Sequence, residues 1–238
     1  MRIYQNTLEM VKEVERDLFE MGIRYQTATV QDQEVADNPD FQTIELFGYA
    51  YTLTKYEDLS ELIQYLNLNA AWLKAEERER LGGLFGMPVG ATLNPGTAWK
   101  ENKQLWEPFL RDGKFSYSYA ERWQEQISYV VNELRLRPNS RQAIMTMYDR
   151  HQDMMNWGGR DRVPCSLTYQ FMIRANKLHL IYNQRSCDFI KFFGADVFLT
   201  IQLMKHIAEE LRIEAGNFTH FLGSLHAFHG DLKDRNIF

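Results

Sequence analysis

Cys165 lies in "RVPCSLTYQF" (162–171), between a proline and a strand-like run, and is one of two cysteines, the other being Cys187. A thiol does chemistry as its anion, which is favoured beside a cation; left uncharged, it packs like a small hydrophobe. Cys187 is read as packing. Arg185 and Arg141 taken alone read as solvated surface charge, and Asp196, ahead of a long apolar run, reads as a helix-capping acid. His220, His226 and His229 raise the question of a metal, but their spacing fits no standard site and none is expected.

The elements that must position these residues follow from patterning. The chain has 238 residues, 45% hydrophobic and 25% charged, enough for one globular domain spanning 1–238. No apolar run approaches the roughly 20 residues of a membrane span, and the charged N-terminus does not resemble a secretory signal. A cytoplasmic protein with reduced cysteines is expected. A formal net charge of −5 argues against a general nucleic-acid binder.

Residues 7 to 21 predict an amphipathic helix with Leu8, Val11, Leu18 and Met21 on one side, stopped at Gly22. A strand is expected at 41 to 53, helical spacing at 57 to 73, and irregular structure from Lys74 to Lys114. Residues 120 to 136 read as a helix. The run 166 to 185 reads as two strands with a tight turn near Asn176. Residues 196 to 213 read as a long helix, and 217 to 228 as a final strand. The mixture is α+β.

The ordered motifs "PCSLTYQF", "QRSCD", a long helix and "GSLH" resemble the thymidylate synthase family over roughly residues 119 to 228. Upstream, "TIELFGYAYTL", "WEPF", "SYAERW" and "PNSR" resemble further family segments. The resemblance implies a mixed twisted sheet with flanking helices, the sheet packed at a homodimer interface. It also implies a thiolate, Cys165, that adds to carbon-6 of a pyrimidine nucleotide. Carbon-5 then takes a one-carbon unit from methylenetetrahydrofolate, the implied co-substrate. Arg185, Ser186 and Gln184 would bind nucleotide, with Arg141 lent across the dimer to the partner's phosphate. A guanidinium suits a phosphate dianion better than a lysine does. His226 would hold the sugar, Tyr119 would stand near the nucleophile, and Trp106, Phe109 and Asp188 would receive folate.

The synthases carry asparagine where this chain has Asp196. A carboxyl that shares a proton with the ring nitrogen, while its other oxygen accepts from the exocyclic amine, matches cytosine and mismatches uracil. "GSLH" is similar to the deoxycytidylate hydroxymethylases of bacteriophages, which also have the aspartate. The expected activity is therefore hydroxymethylation of deoxycytidylate in a cytoplasm, the host's if the gene is viral. A folate-dependent methyltransferase and a catalytically retired nucleotide-binding homologue are the alternatives.

The chain departs from the family pattern at several positions. Asn69 aligns with a catalytic glutamate, and an amide cannot be a general base, so either Glu76 substitutes, or the register differs, or the chemistry has changed. Gln142 and Phe228 replace a phosphate arginine and a sugar-binding tyrosine. The short tail after Phe228 is read as favouring a wetter site and hydroxymethylation, or else a methyltransferase that closes differently.

Overall fold

A computed structural model describes residues 1–30, 33–56, 58–82, 110, 117–154 and 163–233. Its elements are β1 (Arg2–Tyr4), α1 (Thr7–Met21), β2 (Ile23–Gln26), β3 (Thr29–Val30), β4 (Gln33–Glu34), β5 (Gln42–Leu53), α2 (Ser60–Tyr65) and α3 (Ala70–Gly82). They continue as α4 (Tyr119–Leu136), β6 (Ile144–Thr146), β7 (Ser166–Arg174), β8 (Lys177–Asp188), α5 (Gly194–Leu211), β9 (Glu214–Phe228) and α6 (His229–Lys233). One mixed sheet runs β1-β5-β9-β8-β7-β6, with β2 also on β5. The β8 and β9 strands are parallel, whereas β7 with β8 and β5 with β9 are antiparallel.

Helix α1 begins at Asn6, whose side chain accepts from the Glu9 N–H at 2.7 Å, and its cap Gly22 returns an N–H to the Leu18 carbonyl. Met10, Val11, Val14 and Leu18 are buried; Met21, in the last turn, is 55% exposed and does not join them. The central α5 is apolar nearly all round and is wrapped on several sides, so Val197, Phe198, Ile201, Met204 and Ile207 are all buried. It starts at Gly194 rather than 196, because a π-helical turn, Phe189–Phe193, leads into it from β8.

Two further expectations are corrected. The span from Lys74 is not irregular throughout: α3 continues to Gly82, and Leu73, Glu76 and Arg80 form its buried side. The helical run 57 to 73 breaks between α2 and α3, where Asn67 takes a positive φ of 52°.

Gly48 has φ +63° in the middle of β5, between the pairs Phe47–Ser224 and Tyr49–Leu222. Beside it on β9, a Cβ on Gly223 would stand 2.8 Å from the Arg185 carbonyl oxygen of β8. That atom is backbone and cannot swing aside. Gly223→Ala is expected to lower stability by about 1–3 kcal/mol, the usual cost of overpacking, and to disturb the strand carrying Arg185; thermal and urea melts measure it.

Candidate active site

Cys165 stands just before β7, half-buried, its sulfur in no disulfide. Its surroundings are fixed through backbone. The Tyr119 hydroxyl, from the first residue of α4, accepts from the N–H of Cys165 at 3.1 Å and of Ser166 at 3.3 Å. Across the strand pair, the Arg185 N–H donates to the Cys165 carbonyl at 2.8 Å. The Arg185 guanidinium donates to the carbonyls of Pro164 at 2.9 Å and Val163 at 3.0 Å. A register shift between Ser166 and Thr168 bends the strand beside the cysteine, the usual way a sheet re-aims a side chain. Cys187 is buried, and burial, followed by the charge of Asp196, pushes its thiol well up. It therefore stays protonated and unreactive.

Asp196 occupies the first turn of α5, but its side chain does not cap the helix. Its Oδ2 accepts from the Gln184 amide at 2.6 Å. With that nitrogen on the carboxylate, the Gln184 amide oxygen faces His220 Nε2 at 3.0 Å, so Nε2 carries the proton. Nδ1 of the same ring then accepts from the Tyr51 hydroxyl at 3.1 Å. Burial drives His220 down to about 3, so the ring is neutral. Three donors thus point one way, from Tyr51 through His220 and Gln184 to Asp196. Although part of Asp196 remains accessible, its depth in the fold pushes the carboxyl up to about 6, against the pull of Arg80 and the Gln184 bond and with a push from Glu76. Asp196 and Cys165 both act on the Tyr119 hydroxyl, which burial raises first and their charges raise further.

Asn69 is exposed and caps α3, its Oδ1 accepting from the Trp72 N–H at 3.0 Å. Two turns on, Glu76 is buried, with Oε1 on Arg80 Nε at 2.8 Å and Oε2 without a hydrogen-bond partner among the described residues. Glu76 is the acid of α3 whose charge acts on Asp196.

On the neighbouring strand, Ser186 pairs with Ser224, and Asp188 with His226. His226 is half-buried, edge-on to Phe228, with Nδ1 3.3 Å from Ser224 Oγ. Burial brings it down to about 4, with Arg185 among the charges lowering it further. Asp188 caps the π-helical turn, its Oδ1 accepting from the N–H groups of Ile190 at 2.9 Å and Lys191 at 3.1 Å. Burial lifts it to about 6, opposed by Lys191. Arg141 does not join the cluster; its side chain is exposed in the loop before β6, and its carbonyl accepts from Gln170 at 2.9 Å. Trp106 and Phe109 lie outside the described residues. No group of three or more metal-ligating side chains occurs among the described residues, and no described helix is long and apolar enough to cross a membrane.

Sequence reasoning missed the Glu76–Arg80 pair and the His220–Tyr51 link. The first carried a readable sign, an acid and a base four residues apart in "EERER"; the second joins strands far apart in the chain and carried none.

The arrangement is a half-buried thiol, a guanidinium across the strand, and a carboxyl fed by fixed donors. Comparison with known proteins assigns it to a family. A putative thymidylate synthase of Methanocaldococcus jannaschii is 31% identical over 115 residues, covering 48% of this chain and 52% of that protein. The deoxyuridylate hydroxymethyltransferase of Bacillus phage SP01 is 26% identical over 195 residues, covering 82% of this chain and 44% of that protein. The chain thus spans about half the length of these curated relatives. The fold matches the thermostable thymidylate synthase A of Bacillus subtilis with a TM-score of 0.71 at 16% identity, over 96% of this chain and 82% of that one. The family model described as thymidylate synthase matches residues 41–236, and the chain belongs to the thymidylate synthase family.

Proposed function

We propose that this protein is a folate-dependent hydroxymethylase of deoxycytidylate. The observation that carries the reading is Asp196: a carboxyl, where the synthases have an amide, set deep in the fold and acting on the same tyrosine hydroxyl as Cys165. Cytosine offers that carboxyl a ring nitrogen to share its proton and an amine to fill its free oxygen.

In this reading the Cys165 thiolate adds to carbon-6, and Arg185 across the strand holds the nucleotide phosphate with Ser186 while keeping the Val163–Cys165 backbone in place. Gln184 holds Asp196 against the base, and His226, neutral, holds the sugar. Glu76, with one oxygen unengaged, takes the carbon-5 proton. Carbon-5 bonds to the methylene of methylenetetrahydrofolate; loss of the carbon-5 proton expels tetrahydrofolate and leaves an exocyclic methylene, to which water adds as the Cys165 thiolate leaves carbon-6. Asp188 suits a pterin ring: Oδ1 is committed to the backbone, leaving Oδ2 to accept from a ring N–H. Trp106 and Phe109 complete that subsite in the proposal, and Arg141, exposed on its loop, serves the phosphate of a partner subunit in a homodimer.

The phage SP01 relative is named for deoxyuridylate, which makes uridylate the rival substrate. Incubation with deoxycytidylate, deoxyuridylate and labelled methylenetetrahydrofolate separates them. The expected product is deoxycytidylate heavier by one CH2O unit. Gain of CH2 with appearance of dihydrofolate selects a methyltransferase. Tritium release from carbon-5 of deoxyuridylate but not of deoxycytidylate overturns the base assignment.

A further inference from the structure

Arg80 is the one lysine or arginine that is buried among the described residues, at 7% exposure. A buried cation costs more desolvation than a single ion pair ordinarily returns, so its presence calls for a use beyond stability. Among the described residues, its contacts lead toward the site. Nε donates to Glu76 at 2.8 Å, and the guanidinium carbon lies 4.4 Å from the centre of the Tyr119 ring and 5.4 Å from that of Trp123. Tyr119 in turn holds the backbone N–H of Cys165. A planar guanidinium can donate through its edge and stack through its face at once; an ammonium cannot do both.

We propose that Arg80 is a positioning residue whose guanidinium fixes Glu76 and the Tyr119 ring relative to Cys165 and supplies the internal positive charge shared by two carboxylates, Glu76 and Asp196. The proposal rests on reading Cys165, Glu76 and Asp196 as one site. The groups that act on Asp196 or feel its charge come from every side: Arg80 and Glu76 on α3, Tyr119 on α4, Tyr51 on β5, Tyr169 on β7, and Tyr182, Gln184 and Cys187 on β8. Arg80 alone among these is a cation. The charge of Glu76 pushes the Asp196 carboxyl up and that of Arg80 pulls it down, so removing the cation leaves the push unopposed.

The test compares Arg80→Met with Arg80→Lys by two measurements. Carboxyl-carbon NMR of the unliganded protein follows the titration of Asp196 and needs no substrate. Arg80→Met is expected to raise its midpoint by about one unit or more, and Arg80→Lys to leave it near the native value. Turnover is then measured against pH. The alkaline limb of kcat/KM for deoxycytidylate follows the Asp196 midpoint upward in Arg80→Met. In both variants kcat falls by about 10- to 100-fold, because neither stacks on Tyr119 while gripping Glu76.

An unmoved Asp196 titration in folded Arg80→Met overturns the shared-charge claim. Native kcat in Arg80→Lys overturns the positioning claim. Should Arg80→Met not fold, Glu76→Gln is read instead: freed of its partner, Arg80 lowers the Asp196 midpoint, and an unchanged midpoint refutes the proposal. A shifted titration without turnover on any pyrimidine nucleotide sinks the proposed function while leaving Arg80's electrostatic part standing.

Discussion

Cys165→Ser yields a folded protein whose exchange of the carbon-5 hydrogen of deoxycytidylate falls by roughly 10^4- to 10^6-fold, the range typical when an enzyme loses its nucleophile. A hydroxyl ionises far less readily than a thiol, so the attacking anion disappears. Folding survives because Cys165 is only half-buried and its backbone bonds to Tyr119 and Arg185 do not involve sulfur. Tritium release measures the rate, and mass spectrometry with a fluorinated deoxycytidylate plus folate measures the covalent adduct. The native protein forms the adduct on Cys165 and the variant forms none. An adduct on Cys187, or undiminished exchange, refutes the assignment. The buried Cys187 thiol, pushed well up by its surroundings, supplies the internal control. Cys187→Ala leaves adduct formation intact.

Asp196→Asn is expected to reverse the preference between deoxycytidylate and deoxyuridylate. Gln184 is held by His220 with its amine toward residue 196, so the new amide must turn its oxygen to Gln184 and its amine to the ring. Aimed at the substituent on carbon-4, that amine meets an acceptor in the uracil carbonyl and a fellow donor in the cytosine amine. Each mismatched group costs about 10- to 100-fold in kcat/KM, from the usual 1–3 kcal/mol for a buried unpaired polar group. The native protein carries a further signature. The Asp196 carboxyl is pushed up to about 6, so the proton that cytosine shares is present below that pH and lost as pH rises through it. Its kcat/KM for deoxycytidylate should decline above about pH 6, and the decline should vanish in Asp196→Asn. Unchanged base preference with an unchanged profile refutes the role of Asp196.

Elements with a strong period were legible from sequence. The α1 helix begins and ends where its asparagine cap and glycine stop require, and β7 and β8 alternate on either side of Ala175 and Asn176, both at positive φ. Short strands were not legible: β1 has three residues and earns its state only by pairing with β5. The buried side of α3 was hidden for a different reason. "AEERER" reads as solvated charge, and only packing against α4 turns Glu76 and Arg80 inward. Asn69 lies outside the first turn of α3 and caps it, a placement its short motif does not reveal. For the candidate site, chemistry-bearing residues could be named one by one from motifs. Which of them touch was not legible, because Gln184, His220 and Tyr51 meet across three strands, and register is set by the whole sheet.

The one-way run of donors ending at Asp196 also bears on timing. Turning it round would require the Gln184 amide to flip, His220 to move its proton to the other nitrogen, and the Tyr51 hydroxyl to rotate, all inside a closed core and all together. In the proposed reading, a ring reaching Asp196 meets an acceptor whose orientation was settled when the chain folded. Discrimination built in this way spends no binding energy on rearrangement, and it belongs to the empty protein as much as to the complex.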